Sequence, residues 1–152
     1  MKAIIVYDSE YGNTHDVAEA IAAALSHYET VQLLAVPDAT NIDWQGVKLL
    51  IVGGPTQWRG VSERMHTWLD ALPPGSLTGI HAAAFDTRYH GMKLLTGAAA
   101  PPIAKRLKEL GAEVLLPPES FYVVDAQGPL ANGELERASR WALLTPAGVQ
   151  EE

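Results

Sequence analysis

The amino-acid sequence predicts an α/β protein, a three-layer α-β-α sandwich on a five-stranded parallel sheet of strand order 2-1-3-4-5. Three observations predict it. Short apolar runs bounded by turn residues take turns with helical stripes along the chain. The runs are continuous, as strands covered on both faces are, rather than alternating apolar and polar. Segments rich in Gly, Pro, hydroxyl and aromatic residues follow the first, third and fourth runs, so a parallel sheet gathers them at one end, where strand order reverses and ligands bind.

Lys2 to Asp8 reads as the first strand, and Ser9-Glu10-Tyr11-Gly12-Asn13-Thr14 as a tight loop opening onto a helix whose stripe is Val17, Ile21 and Leu25, with Ala18 and Ala22 beside it. Thr30 to Val36 is the second strand; Pro37 to Asn41 break it before a weakly patterned segment around Ile42 and Trp44. Val47 to Val52 is the third, ending where Gly53-Gly54-Pro55 turns the backbone. The loop Thr56-Gln57-Trp58-Arg59-Gly60 leads into a helix with Val61, Met65, Trp68 and Leu72 on one face, stopped by Pro73-Pro74-Gly75. The fourth strand, Ile80 to Phe85, runs into a third loop, Asp86-Thr87-Arg88-Tyr89-His90-Gly91. A helix from Pro101-Pro102 carries Ile103, Leu107 and Leu110, with Gly111 as its C-terminal cap. Glu113 to Leu116 and Phe121 to Val124 read as one fifth strand interrupted at Pro117-Pro118. The last helix starts near Asn132, is expected to bury Leu135, Ala138 and Ala142, and ends before Pro146, so residues 1–146 form one domain and 147–152 a disordered tail.

Composition bounds the function. At 152 residues and 47% hydrophobic, the chain suits a single core. A net charge of −7 argues against nucleic acid and anionic membrane as partners, because phosphate surfaces select clusters of Lys and Arg. The absence of cysteine excludes disulfides, thiolate metal sites and a Cys nucleophile. The first strand begins at the N-terminus and no apolar run reaches about 18 residues, so the expectation is a cytoplasmic monomer without signal peptide or membrane span.

The Ser9 to Thr14 loop carries the chemistry. At a strand-to-helix junction the first unpaired N–H groups and the positive end of the helix dipole converge on the loop and make an anion site. Ser9 and Thr14 add hydroxyl donors, Asn13 an amide, and Gly12 a backbone free to take positive φ. The loop holds no Lys or Arg and no G-x-G-x-x-G, which removes support for nucleotide hydrolysis and for dinucleotide binding. Neutral donors point to a phosphate that is held, not transferred. Ser9 is no hydrolase nucleophile, since Tyr7 and Tyr11 stand where the elbow needs glycine. A phosphoacceptor receiver domain would need an Asp at the end of strand three, where Gly53-Gly54-Pro55 stands. His15, His27, His66, His81 and His90 show no metal-ligand spacing, so no metal is expected; His81 reads as a core histidine, and His90 alone is a candidate proton donor.

Residues Ser9 to Thr14 resemble the phosphate loop of the flavodoxin family, and the Gly-Pro-Thr-Gln-Trp stretch at 54–58 is similar to that family's second loop. The resemblance spans the chain by element order and implies a flavodoxin-like FMN-binding domain. It implies contact with FMN for Ser9, Glu10, Tyr11, Gly12, Asn13 and Thr14, for Pro55, Thr56, Gln57, Trp58, Arg59 and Gly60, and for Asp86, Thr87, Arg88 and Tyr89. Trp58 and Tyr89 fall on opposite sides of the crevice, where a planar ring can stack between them. The third loop departs from the family's acidic neighbours at Arg88, which either faces the flavin or pairs with Asp86. An electron carrier follows as the expected function, with redox protein partners that dock through basic surfaces. The alternatives are an FMN-dependent oxidoreductase reducing a quinone-type acceptor, and a flavin-free interaction module of the same fold. No nicotinamide site is recognisable.

Overall fold

The computed structural model describes residues 1–28, 30–57, 60–89 and 97–145. Its strands are β1 (Lys2–Tyr7), β2 (Thr30–Ala35), β3 (Val47–Gln57), β4 (Gly60–Val61), β5 (His81–Tyr89), β6 (Glu113–Val114) and β7 (Glu119–Val123). Its helices are α1 (Asn13–Ala24), α2 (Glu63–Ala71), α3 (Ala100–Glu109) and α4 (Glu134–Ala142), with a 3-10 turn at Val36–Asp38. The sheet runs β2-β1-β3-β5-β6, with β7 also paired to β5 and β4 folded back on β3. All the main pairings are parallel. The predicted order therefore holds, with β6 and β7 together filling the fifth position.

Strand geometry sends successive side chains to opposite faces, and the core divides accordingly. Ile4, Val6, Leu50, Val52, Ala82 and Ala84 pack with Met65, Trp68 and Leu69 of α2 and with Ile103 and Leu107 of α3. Ala3, Ile5, Leu49, Ile51, Ala83 and Phe85 pack with Val17 and Ile21 of α1 and with Ala138 and Trp141 of α4. Helices thus cover both faces, which is why the strands read as unbroken apolar runs.

Three expectations are corrected. The chain does not turn at Gly53-Gly54-Pro55; β3 continues to Gln57 and pairs alongside β5, Gly53 opposite Phe85 and Pro55 opposite Thr87. Glycine is required at 53 by close approach: an added Cβ would lie 2.1 Å from Phe85 Cζ. The Phe85 ring is held there by edge contacts to Phe121 at 6.0 Å and Trp141 at 6.1 Å. Second, Asp86 to Tyr89 are not a loop but the last four residues of β5, because β7 supplies a parallel partner from Phe85 to Tyr89. Third, Leu135 is 42% exposed. The inward stripe of α4 is Glu134, Ala138 and Trp141, with Thr145 beyond its end, which leaves Leu135 about 100° round the helix from Glu134. Glu134 occupies its buried place by accepting the Tyr122 N–H at 2.7 Å and pairing with Arg137 at 2.8 Å. His81 is buried in β5, its Nδ1 3.6 Å from Glu113 Oε2.

Candidate functional site

The parallel sheet brings the ends of β1, β3, β5 and β7 to one rim, where a cleft of about 210 Å³ opens. Gly12 is the N-cap of α1, and its φ of 93° is what turns the chain from loop to helix. Ser9 Oγ accepts the N–H of Gly12 at 3.1 Å and that of His15 at 3.4 Å, which folds the loop around its own first residue. The Ser9 hydroxyl proton is left to donate outward. Among the described residues nothing accepts the N–H of Asn13 or Thr14, and no side chain of the N-cap covers them. The buried Thr14 hydroxyl lies 2.7 Å from that of Thr87; one proton is used between the two oxygens and the other remains to donate. Asn13 Nδ2 donates to Gln127 O at 3.2 Å, and Gln57 Nε2 donates to Glu10 Oε2, joining the ends of β1 and β3 across the cleft mouth.

Of the residues predicted from sequence, Ser9, Glu10, Tyr11, Asn13, Thr14, Pro55, Thr56, Gln57, Thr87, Arg88 and Tyr89 line this one cleft. Trp58 and Arg59 lie outside the described residues, as does His90. Gly12 contributes only its backbone turn, and Gly60 pairs with Gln57 in the β3–β4 hairpin. Asp86 is fully buried behind the cleft, where Oδ2 accepts the Ala100 N–H at 2.8 Å. Beside it Thr56 Oγ1 accepts the Ala99 N–H at 3.1 Å, so two strand-end residues cap a helix whose own N-cap, Ala99, cannot. Burial raises the Asp86 carboxyl above its ordinary value, and the Ala100 N–H, Ser120 and the Arg88 charge offset this only in part.

Arg88 is 3% exposed and lines the cleft, with its guanidinium carbon 5.7 Å from the Tyr122 ring centroid. Tyr89 is 50% exposed at the rim. The end of β7 and the segment after it supply a wall that sequence reasoning missed, Val123 and Ala126. The signal available was the Gly128-Pro129 turn after a strand that must end at the same rim. A larger groove of about 860 Å³ lies between residues 36–44 and α2, walled mainly by apolar groups such as Pro37, Ile42, Trp44, Trp68 and Leu72 and away from the three predicted loops.

Unclaimed helix N–H groups, free hydroxyl protons and no cation within the loop fit a phosphate monoester bound without chemistry at phosphorus. The flavodoxin family model matches residues 5–141. The chain belongs to the flavodoxin family. Its cofactor is accordingly FMN and its activity electron transfer. No curated protein matches this flavodoxin-family chain. Among solved structures, a flavodoxin from the domain Archaea is similar at 25% identity, with 99% of each chain covered and a TM-score of 0.81. Oxidised Flavodoxin 2 from Bacillus cereus is 22% identical over 97% of this chain and 99% of that one, with a TM-score of 0.82. Oxidised Flavodoxin 1 from the same organism is 22% identical over 94% and 95%, with a TM-score of 0.78.

Proposed function

We infer that this flavodoxin-type carrier holds FMN in the rim cleft, the phosphate on residues 9–14 and the isoalloxazine between the Pro55 to Gln57 wall and Tyr89. The observation that carries the assignment is the pair of unclaimed N–H groups at Asn13 and Thr14, opening beside the Ser9 and Thr14 hydroxyls. Bound FMN supplies the redox chemistry; the chain binds and orients it, and leaves one edge of the cleft open for electron exchange. The net charge of −7 supports docking to redox proteins with basic surfaces. The cysteine-free sequence is compatible with work in the cytoplasm; we assign the carrier to that compartment, as a monomer.

The test is a titration of flavin-free protein with FMN and with riboflavin, followed by the Ser9→Ala/Thr14→Ala variant. FMN should bind at least about a hundredfold more tightly than riboflavin, and the double variant should lose most of that preference, since charge-assisted hydrogen bonds contribute roughly 1.5 to 3 kcal/mol each. Equal affinity for the two flavins in the parent protein would remove the phosphate assignment.

A further inference from the structure

Asp8 follows β1 immediately before the phosphate loop and is 4% exposed. Its backbone N–H donates to Gly53 O at 3.1 Å, which fixes it between β1 and β3. Two groups from the start of α2 hold its side chain: Ser62 Oγ donates to Oδ2 at 2.5 Å and Arg64 Nε pairs with Oδ1 at 3.0 Å. Ser62 Oγ also accepts the Met65 N–H at 3.3 Å as the N-cap of α2, and Arg64 Nη2 donates to Ser9 O at 3.5 Å. The phosphate loop and the first turn of α2 are therefore one polar unit.

We propose that Arg64 is a specificity-determining residue for phosphorylated over unphosphorylated flavin, acting by cancelling the Asp8 carboxylate beside a cradle of neutral donors. The proposal rests on the FMN reading above. A buried carboxylate next to the loop is poorly screened by water and repels a phosphate dianion, and the loop has no Lys or Arg of its own to oppose it. Glu10, the loop's other acid, is exposed and bound to Gln57. Asp8 anchors the Ser62 cap; its charge is the liability. Arg64 removes that charge from outside: its side chain is 56% exposed, so the guanidinium reaches the buried carboxylate while itself staying hydrated. The preference for a phosphate thus depends on a residue that lies outside the loop and comes from the other helical layer.

The experiment measures FMN and riboflavin affinities of the full-length, flavin-stripped protein and of the R64Q, R64K, D8N and D8N/R64Q variants. R64Q should weaken FMN about tenfold, as expected for an uncancelled charge near a dianion, while riboflavin stays within about twofold. The D8N/R64Q protein should recover FMN binding to within about threefold of the parent, because neither charge is then left alone. R64K should keep the FMN preference, and the FMN deficit of R64Q should persist at added salt, because salt screens a buried carboxylate poorly. Equal loss of both flavins in R64Q, or a double variant as weak as R64Q, would overturn the proposal, since a mechanical tie gives those results. A parent protein that prefers neither flavin would instead overturn the FMN reading itself.

Discussion

Thr14 in the first turn of α1 and Thr87 near the end of β5 share a buried hydroxyl–hydroxyl hydrogen bond of 2.7 Å across 73 residues of sequence. It fixes the helix N-terminus against the sheet at the point where the cofactor's phosphate is proposed to sit. Thr87→Val keeps the shape and leaves the Thr14 hydroxyl buried without this partner. Unfolding of the flavin-free variant in urea should show a loss of about 1 to 3 kcal/mol. A loss within error of zero would mean that water already satisfies Thr14.

Gly53 offers a second test, of packing. Gly53→Ala places a methyl group 2.1 Å from Phe85 Cζ, on a ring wedged between Phe121 and Trp141. Overpacking of this kind costs about 1 to 3 kcal/mol or more. Pairing Gly53→Ala with Phe85→Leu should cost less than the sum of the two single changes, because the clash and the ring are removed together. Strict additivity in urea midpoints would show that the strand had shifted to avoid the contact.

Asp86 makes stability depend on pH. Burial raises its folded carboxyl above the ordinary value of 3.8, so the folded state keeps the proton over a range where the unfolded state has released it. Stability then falls as pH rises through that range, and the contribution is fully present only below the unfolded value. Asp86→Asn keeps an acceptor for the Ala100 N–H but cannot titrate. The stability of the parent relative to Asp86→Asn should therefore decline as pH rises above about 4 and level off once the folded carboxyl has ionised. A difference that is flat from acid to neutral pH would refute the raised carboxyl.

Arg88 brings a buried cation to the cleft wall, and with FMN seated there as proposed it would favour a cofactor that gains negative charge on reduction. Two unit charges at about 5 Å and an effective dielectric near 20 interact by roughly 3 kcal/mol, which residual solvent cuts to about 1 to 2. Arg88→Gln should lower the potential of the second electron by about 40 to 90 mV, with Arg88→Lys close to the parent. A shift below about 20 mV in a redox titration would take Arg88 out of the electrostatics of the site.

The parts legible in the sequence are those whose determinants are local. Ser9 to Thr14 are contiguous, and Ser9, Asn13 and Thr14 reach one cleft because loop and helix junction adjoin in the chain. Val17, Ile21 and Leu25 fix the α1 face by spacing alone, as Ile103 and Leu107 do for α3. What was illegible is set by distant partners. Gly53 reads as a turn until Phe85, 32 residues on, is seen to lie over it. Asp86 reads as a loop carboxylate until the uncapped start of α3 is found against it, 14 residues away. Leu135 reads as core until Glu134, bonded to β7, takes the inward position. Val123 and Ala126 line the cleft through short apolar side chains, which carry no chemical signature.

The sheet divides the interior into two apolar compartments with no buried residue in common. Polar groups of both helical layers meet at the carboxyl rim, where α1 brings Thr14 and α2 brings Ser62 and Arg64 to the same loop. Under the assignment made here, a phosphate seated in that loop acts as a rivet through both plates. Its release vacates the cleft but leaves the latch that Asp8, Ser62 and Arg64 already form, so the flavin-free carrier keeps its two helical layers pinned at the rim that receives the cofactor.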